Sequence, residues 1–141
     1  PAIPLTAFYL NLTWTKTVTN GRAWMRHFQL TRRLLGRKIS ADILCLEQGL
    51  HVSVYGGDLP HIGAISIVSP DGMCNTIQFP THRDSAVSER WARTLATAGY
   101  CPSVVEVGIH YDQINEQGIS DVLFITSEML NDVLNILSKQ R

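Results

Sequence analysis

The chain has 141 residues, 45% of them hydrophobic and 17% charged, with zero formal net charge at pH 7. A chain of this size and make-up folds as one globular domain that buries roughly two thirds of its unfolded surface; a disordered or collagen-like chain is excluded, and the zero balance offers nothing to nucleic acid. The charge is uneven, however: residues 1–41 carry seven Lys or Arg and no acid, leaving five basic against twelve acidic residues in the remainder. A segment of that kind either forms a solvated basic face or lies against an acidic surface, its own or a partner's.

In chain order, aromatic and β-branched residues alternate from Ala7 to Val18 and predict a strand, closed by a turn at Asn20-Gly21. Over Ala23 to Leu35, Trp24, Phe28 and Leu35, with His27, Leu30 and Leu34 offset, share one helical face ahead of Gly36. That spacing predicts a helix, and a second hairpin arm fits the same residues. "ISADILCLE", the turn at Gln48-Gly49 and "LHVSVYGG" predict an antiparallel pair; "AISIVS", the turn Pro70 to Gly72 and "MCNTIQF" predict a second hairpin. A helix capped by Asp84 or Ser85 runs through Ala98, with Val87, Trp91 and Leu95 on one face and Gly99 as its stop. "SVVEVGI" is a short buried strand. A last helix runs from its N-cap Asn115 to about Ser138, its apolar side made of Ile119, Val122, Leu123, Leu130, Val133, Leu134 and Leu137. The predicted class is α+β, a mostly antiparallel or mixed sheet with both helices on one face. The three cysteines, Cys45, Cys74 and Cys101, form no C-x-x-C pair and read as reduced thiols; with no membrane-length apolar run and no signal peptide, the expectation is a soluble cytoplasmic protein.

Three polar stretches fall at predicted strand ends: "GGDLPHIG" (Gly56 to Gly63), "THRD" (Thr81 to Asp84) and "GIHYDQIN" (Gly108 to Asn115). Each holds a histidine and an aspartate, and the last two abut helix N-termini, where exposed N–H groups and the helix dipole favour anions. The first has the glycines of a phosphate loop but no following helix and no G-x-G-x-x-G or G-K-[ST] pattern. Arg83 is the natural bidentate partner for phosphate or carboxylate. On local grounds alone, Asp84 reads as a helix cap and His61 as a loop tie. His110 with Asp112 reads equally as an oriented base and as a loop contact, and a metal trio of His61, His82 and His110 matches no short ligand motif. No motif supplies a covalent nucleophile.

"GGDLPHIG", "TIQFPTHRDSAVSERWA" and "GIHYDQINEQGI", in that order, closely resemble the small D subunits associated with gallate-type hydroxyarylic acid decarboxylases, the LpdD-like prenylated-flavin chaperones. The resemblance spans about residues 38–138 and leaves residues 1–37 as a basic N-terminal extension of a single domain. It implies a fold like that of proteasome-assembly chaperones. It also implies a non-catalytic accessory role beside a UbiD-like decarboxylase and the flavin prenyltransferase, with prenylated FMN or FMN bound transiently. Gly56, Gly57, Pro60, His61 and Gly63 carry over from the first motif, His82, Arg83 and Asp84 from the second, and Gly108, His110 and Asn115 from the third.

A prenylated flavin mononucleotide joins a dianionic phosphate to a large apolar ring, so loop glycines can bring main-chain N–H groups to the phosphate while neighbouring Ile and Val line a cleft. On that reading Gly57→Val weakens flavin binding and spares the fold, unless φ is positive there. Two other classes fit the same residues: an acid-base enzyme in which His82 or His110, oriented by Asp84 or Asp112, acts on an aromatic acid, and an oligomeric interaction module without a small ligand. A sheet covered on one face also leaves an edge or apolar face to be paired, which predicts a homodimer.

Overall fold

The computed structural model describes residues 11–19, 22–81 and 83–140, with side chains from residue 25 onward. Its elements are β1 (Asn11–Thr19), β2 (Arg22–Leu34), β3 (Arg37–Leu46), β4 (Gly49–Gly57), β5 (Ala64–Val68), β6 (Cys74–Gln78), α1 (Ser85–Thr97), β7 (Ser103–His110) and α2 (Glu116–Ser138). The strands form one seven-stranded sheet in the order β1-β2-β3-β4-β7-β5-β6. Every neighbouring pair is antiparallel except β4 with β7, so the sheet is mixed and the class is α+β. The turn at residues 20–21, the start of the first predicted strand and His82 lie outside the described residues.

Of the two readings of Ala23–Leu35, a helix and a second hairpin arm, the structure has the hairpin arm: β2 is a strand paired antiparallel with β1. Its alternation decides the matter: Phe28, Leu30, Arg32 and Leu34 are buried on one face, while Gln29 and Thr31 lie half-buried on the other. β2 pairs with β3 from Met25 opposite Leu46 to Leu34 opposite Arg37. A period of two that lands on a core face outweighs a helical reading whose apolar residues would share only part of a stripe.

One face of the sheet carries the core. Ile39, Ala41 and Ile43 of β3, Val52 and Val54 of β4, and Val105 and Val107 of β7 stand in register beneath the two helices. The predicted α1 face is the one that packs, with Val87, Trp91 and Leu95 all buried. The α2 face follows the predicted one in part: Leu130, Val133 and Leu137 are buried and Val122 and Leu134 pack half-buried against the core, but Ile119 and Leu123 are exposed and Ile125, Thr126 and Met129 join the inward positions. The departure lies in the first half of α2, which is apolar around much of its circumference, so that Ile119 and Leu123 are left outside while Ile125 turns inward.

The basic N-terminal portion finds partners within the chain itself. The buried Arg32 guanidinium pairs with Asp132 of α2, and Arg37 Nε donates to Asp58 Oδ1 at 2.6 Å. β2 thus adds both core residues and charge to a sheet whose remaining carboxylates lie further along the chain. No helix among the described residues is long and apolar enough to cross a membrane.

Candidate functional site

β7 slots between β4 and β5, so the chain leaving β4 must cross the end of β7 before it can start down β5. Two strand spacings, ~10 Å, are bridged by residues 58–63, the centre of the first polar stretch. Pro60 lies within this crossing. The loop is laced to β7: Asp58 N–H donates to the His110 carbonyl at 2.6 Å, His61 N–H to Gly108 at 3.4 Å and Gly63 N–H to Val107 at 2.9 Å.

The glycines serve that crossing. A Cβ on Gly108 would stand 1.5 Å from the His61 carbonyl oxygen, so the loop rests on β7 only because Gly108 has no side chain. Gly56 and Gly57 end β4; Gly57 has φ +82°, and a Cβ there would meet the His110 carbonyl at 2.0 Å. Gly57→Val is therefore a change that strains the fold, since a β-branched side chain at this φ clashes with β7 as well. The close approach glycine allows is to the protein's own backbone.

His61 and Asp84 meet above Gly63. His61 Nε2 lies 3.1 Å from Asp84 Oδ2, and His61 Nδ1 lies 3.0 Å from the Leu59 carbonyl. Both neighbours are acceptors, so both contacts are hydrogen bonds at once only when the ring carries two protons, and neither nitrogen then offers a lone pair to a metal. Asp84 holds the N-cap position of α1, but its side chain does not cap the helix. Oδ1 instead accepts from Ile109 N–H at 3.1 Å, so this carboxylate, buried at 8% exposure, ties α1 to β7 and to the crossing loop. The structure gives Asp84 a different job from the cap that local sequence indicated.

The third stretch continues the same cluster. The His110 ring sits edge-on to His61 with centroids 6.4 Å apart, and its Nε2 is 3.0 Å from Asp112 Oδ1. His110 and Asp112 are both solvent-exposed. Asn115 caps α2 through a 2.8 Å bond from Gly118 N–H, and it stands with Asp58, Asp112 and Asp121 around a cleft of about 340 Å³. That cleft is acidic. Asp58 is held below the usual carboxylate range by the Asp112 N–H and then by Arg37, and burial pushes the Tyr111 hydroxyl, which donates to the Leu34 carbonyl, up to about 12. A larger hollow, about 430 Å³, lies at the opposite end of the sheet around Arg26, Cys45 and Tyr100, away from all three motifs.

The structure thus brings Gly56, Gly57, Pro60, His61, Gly63, Asp84, Gly108 and His110 together at one sheet end, with Arg83 exposed just before α1 and Asn115 on the α2 side. His82 falls outside the described residues, among which no group of three metal-ligating side chains converges. Sequence reasoning noted the Asp58 carboxylate without assigning it the Arg37 and Asp112 contacts it makes, and left the exposed Leu59, Ile62 and Phe79 beside the crossing unassigned. For Leu59 and Ile62, large apolar residues inside a glycine- and proline-rich loop are the signal that identifies them.

A mixed sheet, helices on one face and three polar loops gathered at one end define an α+β domain with a built terminal site. The family described as the prenylated flavin chaperone LpdD-like domain matches residues 34–138, and the chain belongs to that family. It is also similar to Protein LpdD of Lactiplantibacillus plantarum, at 27% identity over 114 residues, covering 76% of this chain and 82% of that protein. The family match begins at the end of β2, so β1 and most of β2 lie outside it.

Proposed function

We propose that the chain is a non-catalytic chaperone of a UbiD-like, prenylated-FMN-dependent aromatic acid decarboxylase, holding the prenylated flavin briefly at the loop end of the sheet. Family membership supports the chaperone role and the link to prenylated flavin. The observation that carries the location is the pairing of cationic and apolar groups at one edge of the cluster: exposed Arg83 stands before α1, and exposed Leu59, Ile62 and Phe79 stand beside the crossing loop. α1 has no acid in its first turn and no side-chain cap, whereas α2 is capped by Asn115 and begins with Glu116 beside the acidic cleft. A phosphate is therefore repelled at α2, which leaves the exposed Arg83, just before α1, as the cation that meets it.

The donors differ from a glycine cradle. N–H groups of Asp58, His61 and Gly63 are taken by β7 carbonyls, those of Ser85 and Val87 by Gln78 Oε1 and the Asp84 carbonyl, and His61 is tied to Asp84, so phosphate is met by Arg83, with His110 flanking. The apolar ring then lies on the exposed aliphatic and aromatic residues of the loop. Prenylated flavin, when bound, supplies the decarboxylation chemistry to the partner enzyme; this chain binds, orients and shields it.

The test is titration of the purified chain with FMN and with prenylated FMN, followed by flavin fluorescence. Arg83→Ala and His110→Ala are expected to weaken binding about tenfold to a hundredfold, the ~1.5–3 kcal/mol of a charge-assisted hydrogen bond, at an unchanged melting temperature. Failure of the parent chain to bind either flavin removes the site assignment.

A further inference from the structure

We infer that two copies of the chain join through β6, edge to edge and antiparallel about a two-fold axis at Thr76, making one continuous sheet. The inference is independent of what the loop end binds.

β6 closes one side of the sheet, and its outer edge has no strand beside it among the described residues. Soluble proteins guard such edges with charges, prolines or bulges, because unpaired N–H and C=O groups template pairing with another chain. β1, at the other edge, carries Lys16 in mid-strand. β6 carries no charge, and none occurs anywhere from Met73 to Thr81. Its outward surface is apolar instead: Met73 is 63% exposed, Ile77 58% and Phe79 41%.

Self-pairing makes sense of that pattern. A two-fold axis at Thr76 sets Met73 opposite Phe79 of the second copy, Asn75 opposite Ile77, and Thr76 opposite itself. Six of the eight side chains in the seam on the open face are then apolar, and no like charges are juxtaposed, as an isologous interface requires. A charged partner strand finds no complement here. Since Phe79 N–H bonds the Gly63 carbonyl at 2.9 Å, Met73 of the second copy comes to the rim of the loop end in each half of the dimer.

The register gives the test. Directly opposed strand residues lie ~4.5–5.5 Å apart at Cα, within disulfide range, so Gln78→Cys is expected to form a disulfide with Cys74 of the second copy under mild oxidation. In the parent chain the two Cys74 residues are four positions out of register, ~13 Å apart, and do not link. Light scattering of the full chain at micromolar concentration should give twice the chain mass, falling to one for Ile77→Lys with an unchanged melting curve. A monomeric parent, a folded Ile77→Lys that stays dimeric, or a Gln78→Cys chain that gives no covalent dimer on a non-reducing gel each overturns the proposal.

Discussion

Gly108 shows how a single missing side chain positions the site. Its place beneath the His61 carbonyl lets the crossing loop lie against β7, and Gly108→Ala forces backbone against a new methyl, a contact no rotamer relieves. The expected loss is ~1–3 kcal/mol, the range for overpacking, read as a lower urea midpoint; equal stability would mean the loop is held elsewhere. Asp58 makes a pH-dependent contribution. Its carboxyl is held below its ordinary value, first by the Asp112 N–H and then by Arg37, so the folded state binds this proton more weakly than the unfolded state. The stabilisation is therefore present above the ordinary carboxylate range and is lost as pH falls through the lowered value, below about pH 4. The stability gap between the parent and Asp58→Asn should hold from neutral pH down to that range and close beneath it. A gap that stays constant at lower pH would show that the asparagine acts through something other than the lost charge.

Among the elements, the two helices start differently, and the difference is testable. Asn115 has extended backbone and accepts from Gly118 N–H, an N-cap of the usual kind, so Asn115→Ala should cost ~1 kcal/mol, measured by chemical denaturation. α1 has Asp84 at the same position with its side chain turned toward His61 and β7. Both caps were visible as residue types in the sequence. Only the packing of α1 against β7 reveals that one of them does something else, because a carboxylate offered both a helix end and a strand N–H goes to whichever it is buried against. The same holds for the first half of α2, where apolar residues lie on two sides and the core takes Ile125 while leaving Ile119 and Leu123 exposed; its second half follows the predicted face.

At the scale of the whole molecule, the domain has neither a nucleophile motif nor a convergent metal set among its described residues, and its two oriented histidines differ in role. His61 is locked between two acceptors, while His110 with Asp112 is exposed. As a chaperone, the isolated chain is expected to show no turnover of aromatic acids. Measurable decarboxylation by pure protein, abolished by His110→Ala, would assign it acid-base catalysis instead.

From sequence alone came the α+β class, six of the seven strands, both helices to within a residue or so, and three motifs specific enough to point to the family. These features depend on local period, on turn and cap residues, and on short ordered motifs, all of which are written along the chain. The nature of residues 22–34 needed the sheet, since the same apolar residues satisfy a partial helical stripe and an alternating strand until one face is buried against a core. The insertion of β7 between β4 and β5 is also a tertiary decision, and it changes what the glycines mean: the loop that reads as a phosphate cradle is shaped by having a strand to cross. Which polar groups remain available to a ligand follows from that crossing, because a main-chain N–H already bonded to β7 is no longer a donor to anything else.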